Sequence, residues 1–395
     1  WPVARSLQCV WKPLLAPREG MAVGDKVFRS PAIIFENEST LAALVPDLNV
    51  LAAGRVIPHV MDYTLDDHAL MYGVCDYVET GHVYHELAPQ PRIVSEPLRF
   101  AFDLVEWRKE EGRRPKDFRP VERYLWDRHA AARMPAGDIA AELEALEPYV
   151  RYAYGWALDR WKEVTWQQFP LDGEEVGGVV FIVRARQKPG LGHEDDWREP
   201  KSLWNQAWFC SLRSAYGYAW WGRRLGRADW VAKARLSLQF ALSAPQTDGL
   251  FPGYFQAGAD NRWETGRWVM SAPRRPEGHE DFAHLLDSSW TCWWLLKWHR
   301  DIERDERIVP YVRRYADRLL RLQREDGSFP AWVGPDGATV SPYLAKSPET
   351  SAHVMLLCLL NEIEPDPRYI AAAERAARFV LREIVPEGRW EDFET

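Results

Sequence analysis

Residues 279–300 read HEDFAHLLDSSWTCWWLLKWHR, and this stretch decides how the second part of the chain is interpreted. Its apolar residues recur at helical spacing, which predicts an α-helix over residues 281–300. At about 100° per residue, one stripe of that helix is polar, and tryptophans occupy neighbouring positions. The polar stripe consists of Glu280, His284, Asp287 and Thr291, and the tryptophans are Trp290, Trp294 and Trp298.

A helix of this kind has two interpretations. Pocket walls combine aromatic rings with a few polar groups, so the helix would line a cleft for a polar, flat-faced ligand such as a sugar. Alternatively, it is a buried helix whose acidic residues favour its N-terminus through the helix dipole. The preceding loop, residues 256–278, is rich in tryptophan, arginine and acidic residues, which favours the cleft.

The composition is that of a globular protein. Of the 395 residues, 46% are hydrophobic and 27% are charged, which suits one large or two ordinary domains. The net charge of −8 argues against a nucleic-acid partner and against an anionic membrane surface. The 21 tryptophans are unusual, but both sugar-binding clefts and large helical cores use this residue.

Motifs that carry a cofactor are missing from the sequence. The five cysteines lack metal-ligand spacing, and no GxGxxG, P-loop or GxSxG motif occurs. We therefore predict neither a metal nor another cofactor. No apolar run approaches the length of a membrane span and no signal peptide is visible, so we expect a soluble protein, with the cytoplasm favoured.

The chain divides into a β-rich part and a helical part. Residues 1–110 hold short runs rich in β-branched and aromatic residues, which predicts an antiparallel β-domain of the sandwich type. A charged segment at residues 108–118 is typical of a linker. Residues 118–395 then form helix pairs, so the predicted fold class is α+β. The pairs are 118–134 with 137–166, 204–225 with 229–244, 281–300 with 306–324, and 348–363 with 367–384.

A weak internal repeat closes each helix pair. The four closing turns have an acidic residue before glycine, at residues 172, 248, 326 and 387, in steps of 76, 78 and 61 residues. A period this long indicates a helical hairpin repeated around an axis or along a solenoid. The links within pairs are short and the connections between pairs are long. Function is therefore expected on the long loops, residues 171–202, 250–280 and 331–347.

Helix pairs closed by Asp-Gly-x-aromatic turns, after a β-domain, resemble the six-hairpin (α/α)6-toroid carbohydrate-active enzymes. That group includes many glycoside hydrolases and several polysaccharide lyases. The resemblance covers residues 118–395 and concerns architecture and composition. Four pairs are counted where the toroid has six, so the helical domain is either incomplete in this sequence or an open arc.

The resemblance implies a glycoside hydrolase acting on an oligo- or polysaccharide. Such an enzyme needs two carboxyl groups across a cleft, one as acid and the other as base or nucleophile. Glu349, which opens the fourth inner helix, is a further catalytic candidate, although an acidic residue two positions after Ser347 is also ordinary capping chemistry. The catalytic candidates on the long loops are Glu280, Asp281, Asp196 and Glu264. The residues expected to bind the sugar are Trp197, Trp204, Trp208, Trp263, Trp268, Trp332, Arg262, Arg267, Arg274, Arg275, His279 and Tyr343.

Two alternatives stay open. A polysaccharide lyase on the same scaffold would neutralise a uronate with Asn261, Arg262 and Arg267, and would use His279 or Tyr343 as the base. A non-catalytic carbohydrate-binding protein would use the same cleft without chemistry. In each case we expect the ligand at the end of the helical domain that the long loops form.

Overall fold

The computed structural model describes the chain in segments, and these segments fall into two compact units, residues 1–139 and 140–395. In the described residues, helices and antiparallel sheets occur together, so the fold is of the mixed α+β kind. The described residues are 7–11, 20–23, 32–52, 57, 59–64, 68–78, 84–90, 92, 95, 97–110, 116–133, 139–180, 201–207, 209–271, 278–340 and 347–386.

The first unit consists mainly of short strands, as the sequence predicts. Its elements are β1 (Cys9–Trp11), β2 (Met21–Val23), β3 (Ile33–Glu36), β4 (Thr40–Pro46), α1 (Leu48–Ala52), β5 (His59–Thr64), β6 (Ala69–Val74), β7 (Tyr77–Val78), β8 (Tyr84–Leu87), β9 (Phe102–Arg108) and α2 (Arg119–Leu125). The described strands pair antiparallel in the orders β1-β3-β4-β9, β2-β8-β7 and β5-β6.

Strand β4 shows how the first unit builds its core. Alternate side chains of a strand point to opposite faces, and β4 is apolar on both. On one face, Leu41 and Ala43 pack in a cluster with Val121 of α2. On the other, Leu44 packs in a cluster with Met61 of β5. Because α2 covers the sheet, this unit extends past the linker expected at residues 108–118. The sandwich architecture stays a prediction.

The second unit consists mainly of helices. Helices α3, α7 and α10 each continue as a π-helical turn, over Trp156–Arg160, Trp298–Ile302 and Val380–Ile384. The elements in chain order are α3 (Ile139–Gly155), α4 (Lys162–Thr165), β10 (Trp166–Leu171), β11 (Glu174–Val179), β12 (Ser202–Trp204), α5 (Ser211–Arg224), α6 (Ala228–Ser243), β13 (Tyr254–Gln256), β14 (Arg267–Val269), β15 (Ala283–His284), α7 (Leu285–Lys297), α8 (Ile308–Leu322), β16 (Trp332–Val333), β17 (Thr339–Val340), α9 (Thr350–Ile363) and α10 (Pro367–Phe379).

The last three predicted helix pairs are present, but two inner helices start later than expected. Helix α5 begins at Ser211 and not at residue 204, because residues 202–204 pair with β13. Helix α7 begins at Leu285 and not at residue 281, because Ala283 and His284 pair with β16. Residues that the helical pattern assigns to the starts of α5 and α7 therefore belong to short sheets. One large core joins the pairs, with Tyr218, Trp298 and Tyr315 fully buried in it.

The closing turn after α6 docks on the next hairpin. Gln246 Nε2 donates to the carbonyl oxygen of Tyr311 in α8 at 3.0 Å, and Arg314 Nε donates to Gln246 Oε1 at 2.6 Å. Gly249 has a φ of +84°, and a Cβ atom there would collide with the carbonyl oxygen of Arg314. Glycine is therefore required at this position both by the left-handed backbone and by the close approach to α8.

The turn after α8 makes the same contacts one repeat further on. Gln323 Nε2 donates to the carbonyl oxygen of Ala372 in α10 at 2.9 Å, and Arg375 donates to Gln323 Oε1. Gly327 has a φ of +94°, and a Cβ atom there would collide with the carbonyl oxygen of Arg375. The repeat seen in the sequence thus has a structural meaning after α6 and α8, since each of these two closing turns is fastened to the second helix of the following pair.

Candidate functional site

His284 lies at the centre of a buried polar cluster in the second unit. It ends β15 and is the N-cap residue of α7, so its backbone belongs to both elements. The pairing of His284 with Trp332 in β16 brings the two rings together. They stack with centroids 4.2 Å apart at an interplanar angle of 16°. His284 is 2% exposed, so water reaches little of the ring.

Two carboxylates hold the two nitrogens of this imidazole. Asp287, three residues further along α7, places Oδ2 3.0 Å from His284 Nδ1. Glu349, the N-cap residue of α9, places Oε1 3.2 Å from His284 Nε2. Both acids are buried, and Ser347 Oγ accepts a hydrogen bond from the Glu349 amide at 3.1 Å. The start of α7 and the start of α9 therefore meet through one ring.

This geometry favours the charged form of His284. Burial alone would lower the pKa of His284, but the charges of Asp287 and Glu349 outweigh burial and raise that pKa to about 10. Burial would likewise raise the pKa of Glu349, yet the charge of His284 keeps that pKa below its usual value. The cluster is thus an imidazolium between two acceptors, and Glu349 is a carboxylate at neutral pH.

A second histidine in α9 is neutral. Burial lowers the pKa of His353 to about 3. Tyr315 donates its hydroxyl proton to the carbonyl oxygen of Leu285 at 2.9 Å, so it accepts from Ser289 at 2.8 Å. Ser289 then accepts from His353 Nδ1 at 2.7 Å. This chain of bonds fixes the neutral His353 tautomer with its proton on Nδ1.

The loop between β12 and α5 reaches the same cluster. The amide of Ala207 donates to Asp287 Oδ1 at 2.8 Å, so both oxygens of Asp287 accept hydrogen bonds. Asn205 and Gln206 precede it and are 0% and 2% exposed. In the part of the chain that the structure describes, Asn205 Oδ1 and Nδ2, Gln206 Nε2 and Glu349 Oε2 have no hydrogen-bond partner.

Buried polar atoms without partners are rare in folded proteins and call for an explanation, such as a bound molecule. Here they come from two segments, the loop before α5 and the start of α9, that contact one another through Asp287 and His284. The first segment offers amide donors and acceptors, and the second offers a carboxylate oxygen without a partner in the described residues. These groups can bind hydroxyl groups and accept a proton. Among the described residues, no group of histidine, cysteine and acidic side chains is arranged to hold a metal ion.

Three of the four predicted catalytic acids, Glu264, Glu280 and Asp281, lie at the surface. Glu280 and Asp281 are exposed and precede β15, outside the helix that the sequence predicts for them. Glu264 is exposed and forms an ion pair with Arg262 at 3.4 Å. Arg267 is exposed, at the start of β14. Their catalytic and binding roles stay predictions.

The predicted sugar-stacking rings that the structure describes pack against other side chains. Trp332 is 1% exposed and stacks on His284, and Trp204 is buried with its Nε1 donating to Ser202 at 2.6 Å. Trp263 is half-buried and stacks on Phe169 with centroids 4.3 Å apart, and Trp268 stacks on Phe240 at 5.3 Å. His279 is half-buried, with its ring centroid 4.7 Å from that of Phe282. The faces turned toward these neighbours are closed to a ligand.

Several predicted residues lie outside the described residues. They are Asp196, Trp197, Trp208, Arg274, Arg275 and Tyr343. Sequence reasoning in turn did not single out Asn205, Gln206 or His353. The available signal was weak, because each is a polar residue inside an apolar stretch. His284 and Asp287 do belong to the polar stripe of residues 279–300, and that stripe is the part of the site that the sequence marks.

Comparisons with known proteins give structural matches alone. No family model and no curated protein sequence matches the chain. An unsaturated glucuronyl hydrolase from Bacillus sp. GL1 is 15% identical, with a TM-score of 0.42 over 64% of this chain and 58% of its own. Cellobiose 2-epimerase from Spirochaeta thermophila is 16% identical, with a TM-score of 0.41 over 64% and 57%. A possible member of the GH105 family from Salmonella enterica is 15% identical, with a TM-score of 0.39 over 62% and 55%.

Two of these structures are named as carbohydrate enzymes, a glucuronyl hydrolase and a cellobiose epimerase. The chain spans less than two thirds of the length of the structures it matches. At these identities and TM-scores the matches carry no argument about activity or about single residues. Within the described residues, no helix is long and apolar enough to cross a membrane.

Proposed function

We propose that the chain belongs to a carbohydrate-active enzyme that cleaves glycosidic bonds by acid–base chemistry, with Glu349 as the base or nucleophile. The observation that carries this proposal is the state of Glu349. One of its oxygens is held by His284, which is itself held by Asp287, while Oε2 is buried and has no partner in the described part of the chain. A fixed carboxylate with one free oxygen is the group that this chemistry needs on one side of the scissile bond.

The neighbours of Glu349 suit a base and not an acid. An ionised carboxylate accepts a proton or attacks the anomeric carbon, whereas a general acid must keep its proton near neutral pH. The imidazolium at His284 stabilises the ionised form of Glu349. The acid of the pair then comes from another residue, and Glu280, Asp281, Asp196 and Glu264 remain the candidates for that role.

The test is the Glu349→Gln variant, measured by release of reducing ends from a panel of neutral and uronic-acid polysaccharides. We expect the rate to fall by two or more orders of magnitude, with unchanged folding by circular dichroism. The matched control is Glu362→Gln, since Glu362 lies on the same helix but is exposed and pairs with Arg300 at 3.1 Å. Equal activity of the two variants would contradict a catalytic role for Glu349.

The same panel separates the alternatives. A lyase creates a conjugated double bond, so a rise in ultraviolet absorbance with a uronic-acid polymer, without net hydrolysis, would replace hydrolysis by elimination. A non-catalytic sugar-binding protein would bind members of the panel and release no reducing ends from any of them. In that case Glu349→Gln would change the affinity alone.

A further inference from the structure

The net charge of the buried polar cluster around His284 follows from its contacts. Asp287 accepts hydrogen bonds on both oxygens, from Ala207 and from His284, so it acts as a carboxylate. Glu349 is the second carboxylate, and the two acids share one imidazolium. His353 is held as the neutral tautomer. Two negative groups and one positive group leave the cluster with an excess of one negative charge.

The loop that contacts Asp287 through Ala207 carries neutral hydrogen-bonding atoms without partners in the described residues. They belong to the amides of Asn205 and Gln206, which supply donors and acceptors. Gln206 packs closely against Gly253, where a Cβ atom would lie 2.9 Å from Gln206 Nε2. In the described residues, the cation that pairs with Asp287 and Glu349 is His284, and no arginine or lysine does so. A buried negative site without a further cation repels another carboxylate.

We propose that the sugar ring bound at this cluster is a neutral one, whose hydroxyl groups are recognised by Asn205 and Gln206, and that a uronate is excluded from this position. The inference rests on the proposed function, because it concerns the ring held beside Glu349. It narrows that function to glycosides that are neutral at this subsite. A carboxylate at C6 would add a second negative charge to a cluster that already has an excess of one. A hydroxyl group at C6 would instead form hydrogen bonds with the unpartnered amide atoms.

The proposed exclusion of a uronate is tested by measuring the binding of neutral sugars and their uronic acids to the full chain. The probes are the methyl glycosides of glucose, galactose and mannose, each compared with the uronic acid that differs at C6 alone, by nuclear magnetic resonance titration. We expect the best neutral member to bind on the order of a hundredfold more tightly than its uronic acid. Equal or tighter binding of the uronic acid overturns the inference and leaves hydrolysis intact. Binding of no probe, together with no hydrolysis of any polymer, would contradict the proposed function itself.

Variants of Asn205 test its role separately from folding. The side chain of Asn205 has no hydrogen-bond partner among the described residues, so Asn205→Leu, which keeps the volume, should leave the melting temperature unchanged or raise it. The same variant should weaken binding of the neutral sugar about tenfold or more. Asn361 serves as the control, because its Oδ1 accepts from the Asp366 amide at 3.0 Å. Asn361→Leu should lower the melting temperature and leave sugar binding unchanged.

The melting temperature and the sugar affinity of the variants together distinguish a ligand-binding amide from a structural one. A ligand-binding amide gives lost affinity without lost stability, and a structural amide gives the reverse. If Asn205→Leu melts at a lower temperature and binds the sugar as the parent does, Asn205 is structural and the inference fails. Gln206→Leu provides the second test, since Gln206 Nε2 is also without a partner in the described residues.

Discussion

Replacing His284 by leucine isolates the energy of the buried charge cluster. The substitution keeps an apolar side chain of similar size against Trp332 but leaves Asp287 and Glu349 without their shared cation. Their side chains are 9% and 8% exposed, so solvent screens them little. Removing one partner from a buried ion pair costs about 3–5 kcal/mol, and we expect His284→Leu to destabilise the protein by that amount.

The assay is equilibrium unfolding in urea at pH 7, followed by tryptophan fluorescence, with calorimetry as a second measure. In a unit of this size, the expected loss lowers the melting temperature by roughly 6–20 °C. Adding Glu349→Gln to His284→Leu should recover about 1–3 kcal/mol, because one uncompensated charge is removed. A loss below about 1 kcal/mol, typical of a surface site, without any recovery in the double variant, would refute the argument.

The pH dependence of stability follows from the same cluster. The pKa of His284 is raised on folding, from its usual value of 6.5 to about 10. The stabilisation that this shift provides is fully present below pH 6.5 and is lost as the pH rises toward 10. We therefore expect the free energy of unfolding to fall between pH 7 and pH 10, and to fall less in His284→Leu. Parallel curves for the two proteins would show that His284 is not the titrating group.

Further predictions concern the closing turns and the thiols. Gly226→Ala should cost about 1–2 kcal/mol of stability, since φ is +68° and no atom lies within 4 Å of the added Cβ. Gly249→Ala should cost about 1–3 kcal/mol more than Gly226→Ala, because its added Cβ atom also collides with the backbone of α8. Equal losses of stability for the two variants in urea unfolding would contradict the docking of this turn on α8. Burial raises the pKa of Cys210, to about 11, and that of Cys292. In the native protein, a thiol reagent should label the exposed Cys358 and leave these two untouched, as peptide mass analysis would show.

The sequence predicted the helix pairs because their signal is local. Spacing of apolar residues, capping residues such as Asp366 and the Asp-Gly turns all act within a few residues of one another. The same logic accounts for the strands of the first unit. The local pattern predicted a start for α7 that is too early. The pairing of β15 with β16 depends on residues almost 50 positions away, and it overrides the helical pattern.

The candidate site was harder to predict for the same reason. Glu349 lies 65 residues from His284, and its position in sequence is that of an ordinary helix cap. Its role becomes visible when α7 and α9 are placed side by side. Burial was the second obstacle, since the charged residues near the tryptophans, Glu280 and Asp281, are exposed while His284 and Asp287 are buried. A polar stripe in sequence does not tell which of its members face the core.

Because the two closing turns after α6 and α8 each dock on the following hairpin, the stability of one hairpin depends on its neighbour. The turn at Gln246 is completed by α8, and the turn at Gln323 is completed by α10. A hairpin that detaches removes the partner of the turn before it, so opening spreads backward along the array from neighbour to neighbour. Amide hydrogens near Gly249 should therefore become exchangeable when α8 detaches, even though α6 itself remains helical.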